Sequence, residues 1–209
     1  MENETEVSWR RGNWMQTFTG KQFYPLDAIV DDIDSTDIAH ALSHICRYGG
    51  HVDRFYSVAE HCFLMSQAVR PENRLWALLH DATEAYIGDM VRPLKLHMPN
   101  YVDVEDRLMA VIAQRFGLKT EWRLLETGQW IGTTFRRFDV PVMPDEVREA
   151  DSRILLTERA ALMANTRHPW DIEGLVPLPV EIQGWGPERA KMEYALALED
   201  ALEESGYSE

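Results

Sequence analysis

The chain has 209 residues, 45% of them apolar and 27% charged, which fits one globular domain with room for a substantial core. Its net charge of −14 argues against duplex DNA or RNA as the main partner, because such binding rests on Lys and Arg neutralising phosphates. A small phosphorylated substrate is not excluded, since one metal ion and a few basic side chains reverse a local field.

The elements are read in chain order. The acidic start, Met1-Glu2-Asn3-Glu4-Thr5-Glu6, lacks the basic and apolar regions of a signal peptide. Trp14 to Pro25 reads as a short β-hairpin turning at Thr19-Gly20-Lys21. Asp34 to Cys46 reads as a helix ended by Gly49-Gly50. Ser57-Val58-Ala59-Glu60 is a capping box that opens a helix to about Val69. Pro71 sits in the first turn of a helix ending near Ile87, with Gly88 as its stop. A fourth helix runs from about Tyr101 to Phe116, stopped by Gly117. A long one runs from Asp145 to Ala164 or Asn165, and a last one from Pro187 to about Glu203. Between them lie two linkers rich in Trp, Gly and Pro, Lys119 to Pro144 and Arg167 to Gly186. The first has room for a short helix and the second for a strand at Leu175 to Ile182. Six helices with sparse β structure predict an all-α bundle with a small N-terminal hairpin. No run of about 18 apolar residues predicts a membrane span. Cys46 and Cys62 form no close-spaced metal motif, so reduced thiols in a cytoplasm are expected.

The densest chemistry lies in Leu78-Leu79-His80-Asp81-Ala82-Thr83-Glu84-Ala85-Tyr86-Ile87-Gly88-Asp89. Adjacent His80 and Asp81 project about 100° apart on a helix and can straddle one ion. Glu84, at i+4 from His80 and i+3 from Asp81, lies over the same face. His61 falls in the first turns of a core-facing helix. Asp151, in Glu149-Ala150-Asp151-Ser152-Arg153-Ile154, borders an apolar stripe. Three helices can then deliver two His and two Asp to one point. Imidazole with carboxylate suits Zn, Mn, Fe, Co or Ni, not a calcium cage of oxygens alone. Taken singly, His61 reads as an ordinary core histidine, Asp151 as an arginine partner and Glu84 as a solvated carboxylate. The set is what points to a metal.

The succession His61, His80-Asp81 and distant Asp151 resembles the H…HD…D signature of HD-domain metal-dependent phosphohydrolases. The likeness spans about Phe18 to Ala164. Arg47-Tyr48, Ser57-Val58-Ala59-Glu60-His61, His80-Asp81-Ala82-Thr83-Glu84 and Gly88-Asp89-Met90-Val91-Arg92-Pro93-Leu94-Lys95 look like the branch of bacterial 5′-deoxynucleotidases and phage deoxyadenosine-triphosphate hydrolases. The resemblance implies four metal ligands at His61, His80, Asp81 and Asp151. It implies a catalytic Glu at Glu84, a second acid near the attacking water at Asp89, and a basic-aromatic pair at the nucleotide in Arg47 and Tyr48. The family's usual aromatic at that last position is Trp. Lys119 to Pro144 looks like an insertion relative to short members.

The function so implied is removal of the 5′-phosphate from deoxynucleoside monophosphates. The alternatives are triphosphohydrolysis of a dNTP at the same site, with Arg123, Arg136 and Arg137 adding phosphate contacts, or a non-catalytic metal-bearing nucleotide sensor. Glu84 argues against the sensor, because a pure binder needs no proton-transfer group beside a metal. Arg47 can hold phosphate bidentately; Lys95 is a second candidate cation that reads equally well as a surface lysine. His40 and His44, an i, i+4 pair with no acid on their helix to complete a site, read as core or helix-surface residues. His51 is either a pocket residue or a plain loop histidine. The expected partner is a small-molecule nucleotide, with no duplex nucleic acid and no membrane, and a homodimer is allowed for.

Overall fold

In the computed structural model of the protein, residues 10–126, 137–168, 170, 172 and 174–207 are described. The acidic Met1–Glu6, the linker segment 127–136 with Arg136, and the side chain of Arg137 lie outside the described residues. The chain is mostly helical, with two small antiparallel sheets. No helix among the described residues is long and apolar enough to cross a membrane.

The N-terminal hairpin forms where the Gly20 turn predicts it. Strands β1 (Met15–Gln16) and β2 (Gln22–Phe23) pair with Met15 opposite Phe23, and the Gly20 N–H donates to the Thr17 carbonyl. Helix α1 (Ser35–His44) is capped by Asp34, whose carboxylate accepts the Thr36 N–H at 2.8 Å. It stops two residues short of Cys46, because Cys46 leaves to form a β-bridge with Ser57. Helix α2 (Val58–Ser66) follows, and Ser57 accepts the Glu60 N–H. Only half of the predicted capping box forms, since the Glu60 carboxylate is used elsewhere.

The helix predicted from Pro71 to Ile87 is divided. It becomes α3 (Arg74–Leu79) and α4 (Glu84–Ile87), separated by a tight turn at His80–Thr83. Over this turn the backbone makes i→i−3 hydrogen bonds, from Ala82 to Leu79 and from Glu84 to Asp81, both at 3.0 Å. In an unbroken helix Ala82 would have donated to Leu78. The carbonyl so freed accepts the buried hydroxyl of Tyr194 at 2.8 Å.

A short α5 (Arg92–Lys95) precedes α6 (Pro99–Arg115). Gly117, with φ of 59°, ends that helix and lets Leu118 donate back to the Ala113 carbonyl. The first linker forms a hairpin, β3 (Trp122–Glu126) with β4 (Arg137–Pro141), and no short helix among its described residues. Helix α7 (Asp145–Leu162) ends two residues before the predicted stop. The predicted strand at Leu175–Ile182 is not formed. The Leu178 N–H and carbonyl bond Arg153 and Thr157 of α7 instead, so the segment straps along that helix. Helix α8 (Pro187–Ser205) packs across α1, α2 and α3. Its buried stripe of Ala190, Tyr194, Leu198 and Ala201 follows helical spacing, and each large apolar side chain buried there contributes about 1.5–3 kcal/mol.

Candidate metal centre

His61 sits in the first turn of α2, and its position is set by its neighbour. Glu60 is fully buried, and its carboxylate accepts three backbone N–H groups, from Gln183 at 2.8 Å, Gly184 at 2.9 Å and Trp185 at 2.7 Å. The strap before α8 is thereby fixed to the start of α2. His80 and Asp81 come from the tight turn after α3, and Asp151 from α7.

These three segments converge. The Nε2 atoms of His61 and His80 are 3.3 Å apart. Asp81 Oδ2 lies 3.6 Å from His61 Nε2 and 3.2 Å from His80 Nε2. Asp151 Oδ1 lies 3.5 Å and 4.0 Å from the same two nitrogens. His61, His80 and Asp81 form a cluster able to hold a metal ion, and Asp151 borders it. The imidazoles are 0% and 2% exposed, whereas the Asp81 and Asp151 side chains are 22% and 37% exposed. The centre therefore opens to solvent on its carboxylate side.

The donor set fits a metal. His80 Nδ1 donates to the Ala77 carbonyl at 2.9 Å, and His61 Nδ1 donates to Glu158 Oε1 at 2.6 Å. With those tautomers both Nε2 atoms can turn their lone pairs to one shared cation, a metal ion or a proton. Two nitrogens sharing one ion at about 2.0–2.1 Å stand roughly 2.9–3.4 Å apart for angles from square to tetrahedral. The electrostatics agree. Burial raises the Asp81 carboxyl, but His80, His61 and Arg47 overcome it and hold it well below the usual carboxylate range. Asp151 is lowered too, against burial, by His61 and His80. Burial opposes charge on His80, yet Asp81 raises it well above an ordinary imidazole, so a proton is favoured at the place where a metal ion would displace it.

Glu158 is the functional residue that sequence reading missed. It is fully buried on α7, two turns beyond Asp151. Its Oε1 accepts from His61 and, at 2.9 Å, from the Tyr56 hydroxyl. Its Oε2 accepts from Arg47 Nη2 at 3.3 Å and from the Tyr48 hydroxyl. Burial pushes its carboxyl up, but Arg47 and His61 bring it down to about 2. The signal available in the sequence was its i+7 spacing from Asp151 along one helix face.

Arg47 and Tyr48 lie in a single tight turn after α1, not on the helix itself. The Arg47 N–H donates to the Tyr56 carbonyl. Its Nη1 bonds Asp81 at 3.3 Å and its Nη2 bonds Glu158, while its Nε is buried without a partner. The paired N–H donors that the resemblance turns toward phosphate are thus turned toward two carboxylates. Tyr48 has φ of 58°, rare for a residue with a side chain, and its ring stands 6.3 Å from Trp170.

Glu84 is buried beside the centre, and its Oε2 has no hydrogen-bond partner. Burial, with Asp81 and Asp89 adding repulsion, raises its carboxyl well above the ordinary glutamate value. The i→i−3 turn produces this closeness, because tight turns bring i and i+3 side chains into line. Asp89 is half-buried, and burial raises it as well. Lys95 bonds Glu105 at 2.6 Å. The remaining candidates stand apart. Phe18, His40 and His44 stack in series with ring centroids 3.6 and 4.2 Å apart, a surface cluster in place of a metal site. His51 is exposed. Cys62 is buried 3.9 Å from His80 Nδ1, and burial pushes its thiol up to about 11.

No known protein-family profile matches the chain. An uncharacterized protein of Rhodobacter capsulatus is 40% identical over 115 residues, 50% of this chain and 59% of that one. The uncharacterized protein YfdR of Escherichia coli is 40% identical over 164 residues, 78% of this chain and 80% of that one. At that identity and coverage, the chain belongs to the same family as YfdR.

Proposed function

We propose that this protein is an HD-type metal-dependent phosphohydrolase of nucleotides, and that its first substrates are deoxynucleoside 5′-monophosphates. The observation that carries the reading is the pair of buried imidazoles with facing Nε2 atoms, bordered by Asp81 and Asp151. His61, His80, Asp81 and Asp151 would hold one divalent ion of Mn, Co, Zn, Fe or Ni. When bound, such an ion polarises a phosphoryl oxygen and lowers the pKa of a water it holds.

The chain's own groups supply the rest. Burial, with Asp81 and Asp89 close by, favours the protonated form of Glu84, which suits it to protonate the leaving sugar oxygen. Asp89, less buried, is the second acid at the same opening. Arg47 is a fixed positive charge beside Asp81 and offsets phosphate charge without moving. Tyr48 offers an aromatic face for the sugar or base. Lys95 would have to leave Glu105 to meet phosphate. The deoxy preference rests on the resemblance of Arg47-Tyr48 to the family's basic-aromatic pair.

The test is a screen of mono- and triphosphates of deoxy- and ribonucleosides against Mn, Co, Zn and Mg, with product identification. Inorganic phosphate from deoxynucleoside monophosphates is the expected result. Tripolyphosphate from a dNTP would move the cut to the triphosphate. Metal binding with no turnover on any nucleotide would refute the enzymatic reading, and equal kcat/KM for dAMP and AMP would refute the sugar preference.

A further inference from the structure

One carboxylate touches both halves of the site. Glu158 Oε1 receives the Nδ1–H of the candidate ligand His61, and Oε2 receives Arg47 and the Tyr48 hydroxyl. The side chain has no exposed surface, so water cannot replace any of these partners. His61 Nδ1 has no other acceptor within reach of the described residues' hydrogen bonds. The tautomer that leaves Nε2 free for a metal therefore depends on this one oxygen. On the other side, Tyr48 adopts a left-handed backbone that is unfavourable for a residue with a side chain. Its hydroxyl on Glu158 ties that turn to the centre.

We propose that Glu158 is a positioning residue that orients His61 toward the metal and, through its second oxygen, ties the Arg47–Tyr48 turn to the same centre. It touches neither the metal nor the substrate. Its function is to make the metal ligand and the charged-aromatic turn one rigid unit. A carboxylate in this place also raises the basicity of the ligating imidazole, an effect that typically changes metal affinity about 10- to 100-fold. Tyr56 separates this role from simple core packing. It donates to the second lone pair of the same Oε1, and so draws negative charge from that oxygen without displacing His61.

This proposal rests on the metal centre, and the experiment distinguishes the two. Co(II) and Zn(II) affinities would be measured by chelator competition for wild type, Glu158→Gln, Glu158→Leu and Tyr56→Phe, with thermal melts of the metal-free proteins alongside. The expected result is a 10- to 100-fold loss of affinity in Glu158→Gln with a changed Co(II) visible spectrum. Tyr56→Phe should bind at least as tightly as wild type, because Oε1 loses one donor and becomes the stronger acceptor for His61, although it melts lower. Affinity falling in both variants in step with their melting temperatures would overturn the positioning role and leave a structural one. Wild-type affinity in Glu158→Leu, which offers His61 no acceptor, would overturn it outright while the metal centre stood. No metal binding by the wild type would overturn the centre and the proposal together.

Discussion

Replacing Glu84 by Gln should make the metal-free protein more stable and the metal-replete protein nearly inactive. The side chain is 7% exposed and its Oε2 has no partner, so a charge there is neither solvated nor paired. The carboxyl's pKa is raised by burial first and by Asp81 and Asp89 next. For an acid raised on folding, the native state holds the proton in a pH range where the unfolded state has lost it. Stability then falls as pH rises from the unfolded glutamate value toward the folded one, by up to about 1.4 kcal/mol per pH unit. Gln carries no such penalty. The stability difference between variant and wild type should therefore grow with pH from about 4.5 upward, at no more than that slope. Urea melts of the metal-free proteins at pH 5, 6 and 7 measure it. Turnover in the metal-loaded variant should fall by about 10²- to 10⁴-fold, the usual worth of a positioned acid or base. A flat stability difference across that range would refute the burial argument. Wild-type kcat at full metal occupancy would refute the proton role.

His80→Ala should remove bound metal and activity together, because it deletes one of the two facing nitrogens; full occupancy by elemental analysis would remove His80 from the ligand set. Arg47→Ala should lower stability by about 3–5 kcal/mol in addition to weakening substrate binding, since it leaves Glu158 buried with its cation gone; a denaturant midpoint equal to wild type would show that the pair is not coupled. Gly184→Ala should lower the melting temperature by roughly 2–8 °C, from about 1–2 kcal/mol of strain. At that residue φ is +69°, and a Cβ would stand 3.0 Å from Arg54 and 3.2 Å from the Phe55 carbonyl. An unchanged melt would mean that the strap yields.

The parts of the site that repeat a short local spacing were legible in the sequence. His61 behind its Ser57 cap, His80-Asp81 ahead of Glu84, and Asp151 on an apolar helix stripe could each be placed on a face by helical periodicity. The division of the Pro71–Ile87 helix could not. No Gly or Pro interrupts Leu75 to Ile87, and local propensity favours continuity. The turn forms because His80 Nδ1 takes the Ala77 carbonyl and Tyr194, more than a hundred residues away, takes the Leu78 carbonyl. Glu60 was legible as a cap and misread in its partner, for the same reason: its three N–H donors lie at 183–185. The β3–β4 hairpin was hidden in a linker whose composition says only that it is not a helix of the bundle.

The charge inside the centre argues for a divalent ion over a bound proton. Three carboxylates there, Asp81, Asp151 and Glu158, are all held below their ordinary values and so are ionised at neutral pH. Arg47 is the fixed cation that pairs with two of them. Glu84, with its raised carboxyl, adds no charge while it keeps its proton. Three negative charges against one positive leave two without a fixed partner at a centre whose imidazole side is buried and whose carboxylate side meets solvent, and unpaired charge beside a buried wall is costly. A proton on His80 cancels one of them. A divalent ion would cancel both, displacing that proton so that two neutral imidazoles face the ion. Metal should thus bind tightly at neutral pH and less tightly as acid protonates the ligands. A saturating ion should also raise the melting temperature, by the mass-action stabilisation of a ligand that prefers the folded state. A melting temperature indifferent to Mn, Co and Zn at pH 7 would mean that the two charges are balanced in some other way.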